Sequence, residues 1–100
     1  MKARLMRGST AIHIGDAASS RPRATAEFTG SYASNADYNA VPLSMNFLDS
    51  PSTTSQVTYK IQYASYATFV VYINRSGSDL DTSEYDARTA SSIILMEVAV

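Results

Sequence analysis

The chain has 100 residues, 45% of them hydrophobic and 17% charged, the balance of one folded domain rather than of a disordered segment. A net charge of −1 and a pI near 5.6 leave no concentrated basic surface for a phosphate backbone, which excludes nucleic acid as an expected partner. The sequence has no cysteine, hence no disulfide framework, thiolate zinc site or cysteine nucleophile, and association with further copies is the expected substitute for those staples.

The first residues, Met1 to Arg7, carry Lys2, Arg4 and Arg7 but no apolar stretch follows them. No window approaches the ~18–20 apolar residues of a membrane span, so the expectation is a chain made in the cytoplasm without membrane insertion. Thr10 to Ile14 reads as a short strand stopped by Gly15 and Asp16, and Arg23 to Phe28 as another. Residues 29–40 form a long polar connection that holds Tyr32 and Tyr38. Val41 to Phe47 alternates with Val41, Leu43, Met45 and Phe47 on one face, and Pro42 places it at a strand start or an edge.

A turn-rich link over 49–55 leads into the clearest strand, Gln56 to Tyr63. There Val57, Tyr59, Ile61 and Tyr63 share one face, and Gln56, Thr58, Lys60 and Gln62 the other. The short stretch 64–67 predicts a hairpin that pairs this strand with Thr68 to Asn74. Residues 75–90 form a second long connection, with Asp79, Asp81, Glu84, Tyr85 and Asp86, before a last strand from Ser92 to Val98.

The strands at 68–74 and 92–98 are apolar on both faces over most of their length, so each face needs a cover: another sheet edge, a wrapped loop or a neighbouring subunit. Phe69, Val71, Ile73, Ile94, Met96 and Val98 are therefore the candidate subunit-interface residues. The spacing of the strands predicts an all-β fold, an antiparallel, jelly-roll-like β-sandwich in one domain over 1–100.

His13 is the one histidine and has no companions at metal-ligand or triad spacing, so it reads as a solvated or hydrogen-bonded surface side chain. The acidic run from Asp79 to Glu84 lacks the ligand order and glycine of an EF-hand and reads as a solvated loop. Paired carboxylates for glycoside hydrolysis are available, but only in numbers any soluble domain has. No enzyme activity, metal or cofactor is expected. The seven tyrosines, with no tryptophan, are more informative, because tyrosine offers a flat apolar face and a polar tip at little rotamer cost. Tyr59 and Tyr63 point to the core. Tyr32, Tyr38 and Tyr85 lie in the long connections and are the candidate receptor or glycan contacts.

Several segments, in order, form a further pattern: Met6 to Ile12; Asn46-Phe47-Leu48-Asp49-Ser50-Pro51-Ser52-Thr53-Thr54-Ser55; Val57 to Gln62; Val71 to Arg75; and Arg88-Thr89-Ala90-Ser91-Ser92-Ile93 running on to Met96-Glu97-Val98. Together they resemble C-terminal β domains of virion structural proteins of tailed bacteriophages, marine and cyanobacterial phages especially, where such domains close tail fibres or related projecting proteins. The resemblance implies a homotrimer, a place in the virion, contact with other virion proteins and recognition of a host-surface receptor such as a glycan. It supplies no catalytic or ligand-binding residue set. Fibre proteins are long, with a shaft ahead of this domain, whereas this sequence starts at Met1. That leaves a fragment of a longer fibre, or a small stand-alone capsid decoration or adaptor protein with no receptor.

Overall fold

A computed structural model describes residues 1–28, 40–65, 68 and 70–99. The described residues fall into two compact units, one drawn from 1–28 and 41–71, the other from 40 and 72–99. The first holds an antiparallel sheet of strands β1 (Lys2–Arg7), β2 (Thr10–Ile12), β3 (Ala26–Glu27) and β4 (Tyr59–Ala64). No helix occurs among the described residues.

The sheet is organised around β1. Along one edge β4 pairs with its whole length, from Lys2 opposite Ala64 to Arg7 opposite Tyr59. The other edge is shared, since β2 covers Leu5 to Arg7 and β3 covers Lys2 and Ala3. The β1–β2 hairpin turns through Gly8 and Ser9, and Gly8 takes φ +58° at the first central position, where a type II′ turn needs a residue free of a Cβ. The Gly8 N–H then donates to the Thr58 carbonyl at 2.7 Å, tying the turn to the approach of β4.

Directly opposed residues of an antiparallel pair share a face, so the registers sort the side chains. Ala3 and Leu5 share one face with Ile12, Ile61 and Tyr63, an apolar set. Lys2, Arg4 and Met6 lie on the other, with Lys60 and Gln62. Ala3 (0% exposed) and Met6 (7%) are both buried although they point to opposite faces, so this strand is covered on both sides. Among the described residues Ile12 completes the buried apolar set, a thin core.

Thr25 closes the seam where the shared edge changes hands. Its N–H donates to the Ala3 carbonyl at 2.9 Å, its hydroxyl accepts the Leu5 N–H at 2.9 Å, and the same hydroxyl reaches the Ile12 carbonyl at 3.4 Å. Below it, the Met1 amino group and the Phe28 N–H exchange bonds with the Phe28 and Met1 carbonyls at 2.9 and 2.8 Å. The chain start is thereby fastened into the sheet.

Several predicted strands are corrected. The strand expected over 10–14 ends at Ile12, because His13 turns to φ +51°, a left-handed conformation that no ladder accommodates. The strand expected over 23–28 shrinks to Ala26–Glu27, and the one over 56–63 starts at Tyr59. Its partner is β1 rather than 68–74, and no strand is present in 41–47, in 92–98 or among the described residues of 68–74. Over 43–46 the alternation nevertheless holds, with Leu43 and Met45 half-buried and Ser44 and Asn46 exposed. The pattern reports which side chains face inward, whereas a strand also needs an edge to bond to.

Candidate functional site

Three carboxylates gather donors, Asp49 in the first unit and Asp79 and Asp86 in the loop of the second. In the first unit Asp49 sits in the link before β4. One Arg7 Nη donates to both its oxygens at 2.7 and 2.8 Å, and the Tyr59 hydroxyl donates to Oδ2 at 2.7 Å. Arg7 and Tyr59 are themselves opposed across β1 and β4, so a single carboxylate clamps the end of that pair. The Tyr59 hydrogen bond, then Arg7, holds the Asp49 carboxyl below its ordinary value, and the same bond raises the Tyr59 phenol. His13 stacks on Phe47 with ring centroids 4.6 Å apart, so the lone histidine is a ring contact on the surface.

The second unit is organised by residues 74–91. Its ends meet where the Asn74 carbonyl accepts the Thr89 N–H at 2.9 Å and the Asn74 side-chain oxygen accepts the Ser91 hydroxyl at 2.6 Å. Asn74 at φ +62° and Asp79 at φ +47° supply the tight bends, as befits residues that tolerate the left-handed region. Inside, Asp79 takes a two-pronged pair from Arg88 (Nε 2.7 Å, Nη 2.6 Å) and a further bond from Arg75 at 2.6 Å. The Arg75 guanidinium also lies over the Tyr72 ring, 4.6 Å from its centroid.

Asp86 is the second staple. It accepts the hydroxyls of Ser76 and Ser78, each at 2.7 Å, and the Leu80 N–H at 2.6 Å. Ser76, 4% exposed, also accepts the Asp79 N–H at 3.1 Å and so joins the two carboxylates in one network. Arg88 and then Arg75 depress the Asp79 carboxyl, while the Ser76 hydroxyl, the Leu80 N–H and the Ser78 hydroxyl depress that of Asp86. Both are therefore fixed anions with their lone pairs engaged, which suits them to hold a loop and not to deliver a proton.

With Asp79 and Asp86 turned inward, residues 80–85 are exposed, Tyr85 at 65%. A shallow recess of about 290 Å³ opens between Leu80, Asp81, Thr82 and the Asp79–Arg88 pair. The acidic run expected to be solvated throughout is thus divided, with Asp81 and Glu84 exposed and Asp79 and Asp86 engaged. Among the described residues no three His, Asp or Glu side chains come together as a metal ligand set, and no helix is long and apolar enough to cross a membrane.

Of the candidate contact residues, Tyr85 lies on this loop, and Tyr32 and Tyr38 lie outside the described residues. Of the candidate interface residues, Ile94, Met96 and Val98 are 77%, 84% and 67% exposed, Ile73 is exposed, Val71 is half-buried and Phe69 lies outside the described residues. The arginines at 75 and 88, which set the loop, were not singled out from sequence. Their positions flanking an Asp-rich segment are the signal that could have found them. No protein-family model, curated protein or solved structure matches the chain.

Proposed function

We propose that the chain is a non-catalytic virion structural module of a tailed bacteriophage, a tail-fibre-type head domain that is made in the host cytoplasm, assembles with its own copies as a homotrimer and with other virion proteins, and binds a host-surface glycan. Loop 74–91 carries the recognition part. Its own carboxylates and arginines tie it together, and Tyr85, Asp81, Thr82 and Glu84 are all exposed on it, a flat ring and hydrogen-bonding groups on one loop. A prefixed loop loses little entropy on binding, which is what a recognition surface needs. In this reading the antiparallel sheet is one layer of a jelly-roll-like β-sandwich. The family assignment is supported by the order of the motifs from Met6 to Val98.

A second reading, an architectural decoration or adaptor protein without a receptor, is favoured by the apolar exposure of residues 93–98. Immobilised bacterial surface polysaccharides separate the two. Retention of the chain on at least one of them, weakened about fivefold by Tyr85→Ala, is the result expected of stacking. No retention on any, or retention indifferent to Tyr85→Ala, overturns the glycan reading in favour of the architectural one.

A further inference from the structure

We propose that β4 receives residues 93–98 of a second copy of this chain as an added antiparallel strand, with Glu97 opposite Lys60. The inference rests on the self-association part of the proposed function and is independent of the glycan.

Two observations meet in it. Along β4 one edge bonds to β1, and among the described residues no ladder occupies the other; the side chains of Lys60, Gln62 and Ala64, on one face of the strand, are exposed. An edge of this kind is a template for a further strand. Separately, residues 93–96 and 98 form an apolar run 55–84% exposed that carries no strand, interrupted only by Glu97. The run is apolar on both faces, with β-branched Ile93, Ile94 and Val98, as suits a strand lying within a sheet.

The two patterns fit in one register. With Glu97 against Lys60, Met96 falls opposite Ile61 and Ile94 opposite Tyr63, which continues the apolar face that β1 and β4 already share. A slip of one residue would put Glu97 on that apolar face and lose the charge pair, so the register is specified. A parallel strand with the same charge pair would run Ile94 and Leu95 past Tyr59, where β4 begins, and parallel pairing is slightly weaker per residue. Addition of this kind joins unlike surfaces of neighbouring copies, the type of contact that builds rings, three-fold ones included, where its rotation closes.

Because the sequence has no cysteine, introduced thiols report unambiguously. Full-length Gln62→Cys and Leu95→Cys chains, opposed in this register, are mixed in equal amounts and oxidised, and mass is followed by light scattering. The mixed disulfide is expected to exceed the share random pairing gives. Adding Lys60→Glu to the first chain lowers its yield about threefold, and Glu97→Lys in the second restores it. Mixed disulfide at the random share overturns the proposal, as does a Gln62→Cys, Leu95→Cys chain that closes on itself at high dilution. A trimer without the mixed disulfide overturns strand addition and leaves self-assembly standing; a monomer at all concentrations overturns both.

Discussion

Replacing Thr25 with valine tests whether one side chain seals the seam of the sheet. Valine keeps the shape and β-propensity of threonine and removes only the hydroxyl, so the Leu5 N–H loses its acceptor at 2.9 Å inside the central strand. An unsatisfied donor of this kind costs about 1–2 kcal/mol, at the lower part of the usual range because Thr25 is half-buried. The bond to the Ile12 carbonyl, at 3.4 Å, is longer than a good hydroxyl bond and adds little. With a urea m-value of about 1.5 kcal/mol per molar, the unfolding midpoint should fall by about 1 M, a large step for a domain whose total stability is of order 5–15 kcal/mol. Thr25→Ser should keep most of the midpoint, and amide exchange at Leu5 should accelerate in Thr25→Val more than at neighbouring β1 amides. A Thr25→Val midpoint within about 0.3 M of the parent, or a Thr25→Ser variant that loses as much as valine, would refute the seam.

Met6 is buried on the charged face of β1, so Met6→Ala should cost about 2 kcal/mol, the low end for a core methionine because a thin core can partly collapse around the gap; thermal unfolding reads it directly. Acid should weaken both units. Asp49, Asp79 and Asp86 have folded values below the unfolded 3.8, so the unfolded chain takes up protons first as pH falls. Their contribution is complete above that value and is lost on passing down through the folded ones. Urea midpoints should be insensitive to these groups from pH 7 to about 5 and drop from about pH 4 downward, with a shallower acid limb in Asp79→Asn. An unchanged limb in that variant would remove Asp79 from the account.

The β4 strand was legible because Tyr59 to Gln62 alternates and the burial follows it, Tyr59 and Ile61 half-buried against exposed Lys60 and Gln62. Its partner was not legible, since the nearest apolar run after a short link looked like a hairpin, and the true partner, β1, starts at Lys2, 57 positions before β4 starts at Tyr59. Long-range pairing leaves no local trace in sequence. The strand Lys2–Arg7 itself was missed, because three cations among six residues hid the alternation, although Gly8-Ser9 before Thr10 is a two-residue hairpin signal of the glycine-first type. His13 ended β2 early for a reason that composition does not carry, a backbone angle.

The site was legible in outline only. A long acidic connection with an exposed tyrosine could be marked from sequence, and Tyr85 is on it. Which carboxylates face in could not, because Asp79, Asp81, Glu84 and Asp86 are chemically alike and differ in what the fold brings to them: Arg75 and Arg88 to the first, Ser76, Ser78 and the Leu80 N–H to the last. The same distinction governs residues 92–98. Their two-sided apolar pattern asks for cover on both faces, but a pattern cannot say whether the cover comes from the same chain. Exposure of Ile94, Met96 and Val98, taken with a pattern on β4 that their sequence matches, charge for charge and face for face, is what turns an uncovered apolar segment into an argument for a neighbour.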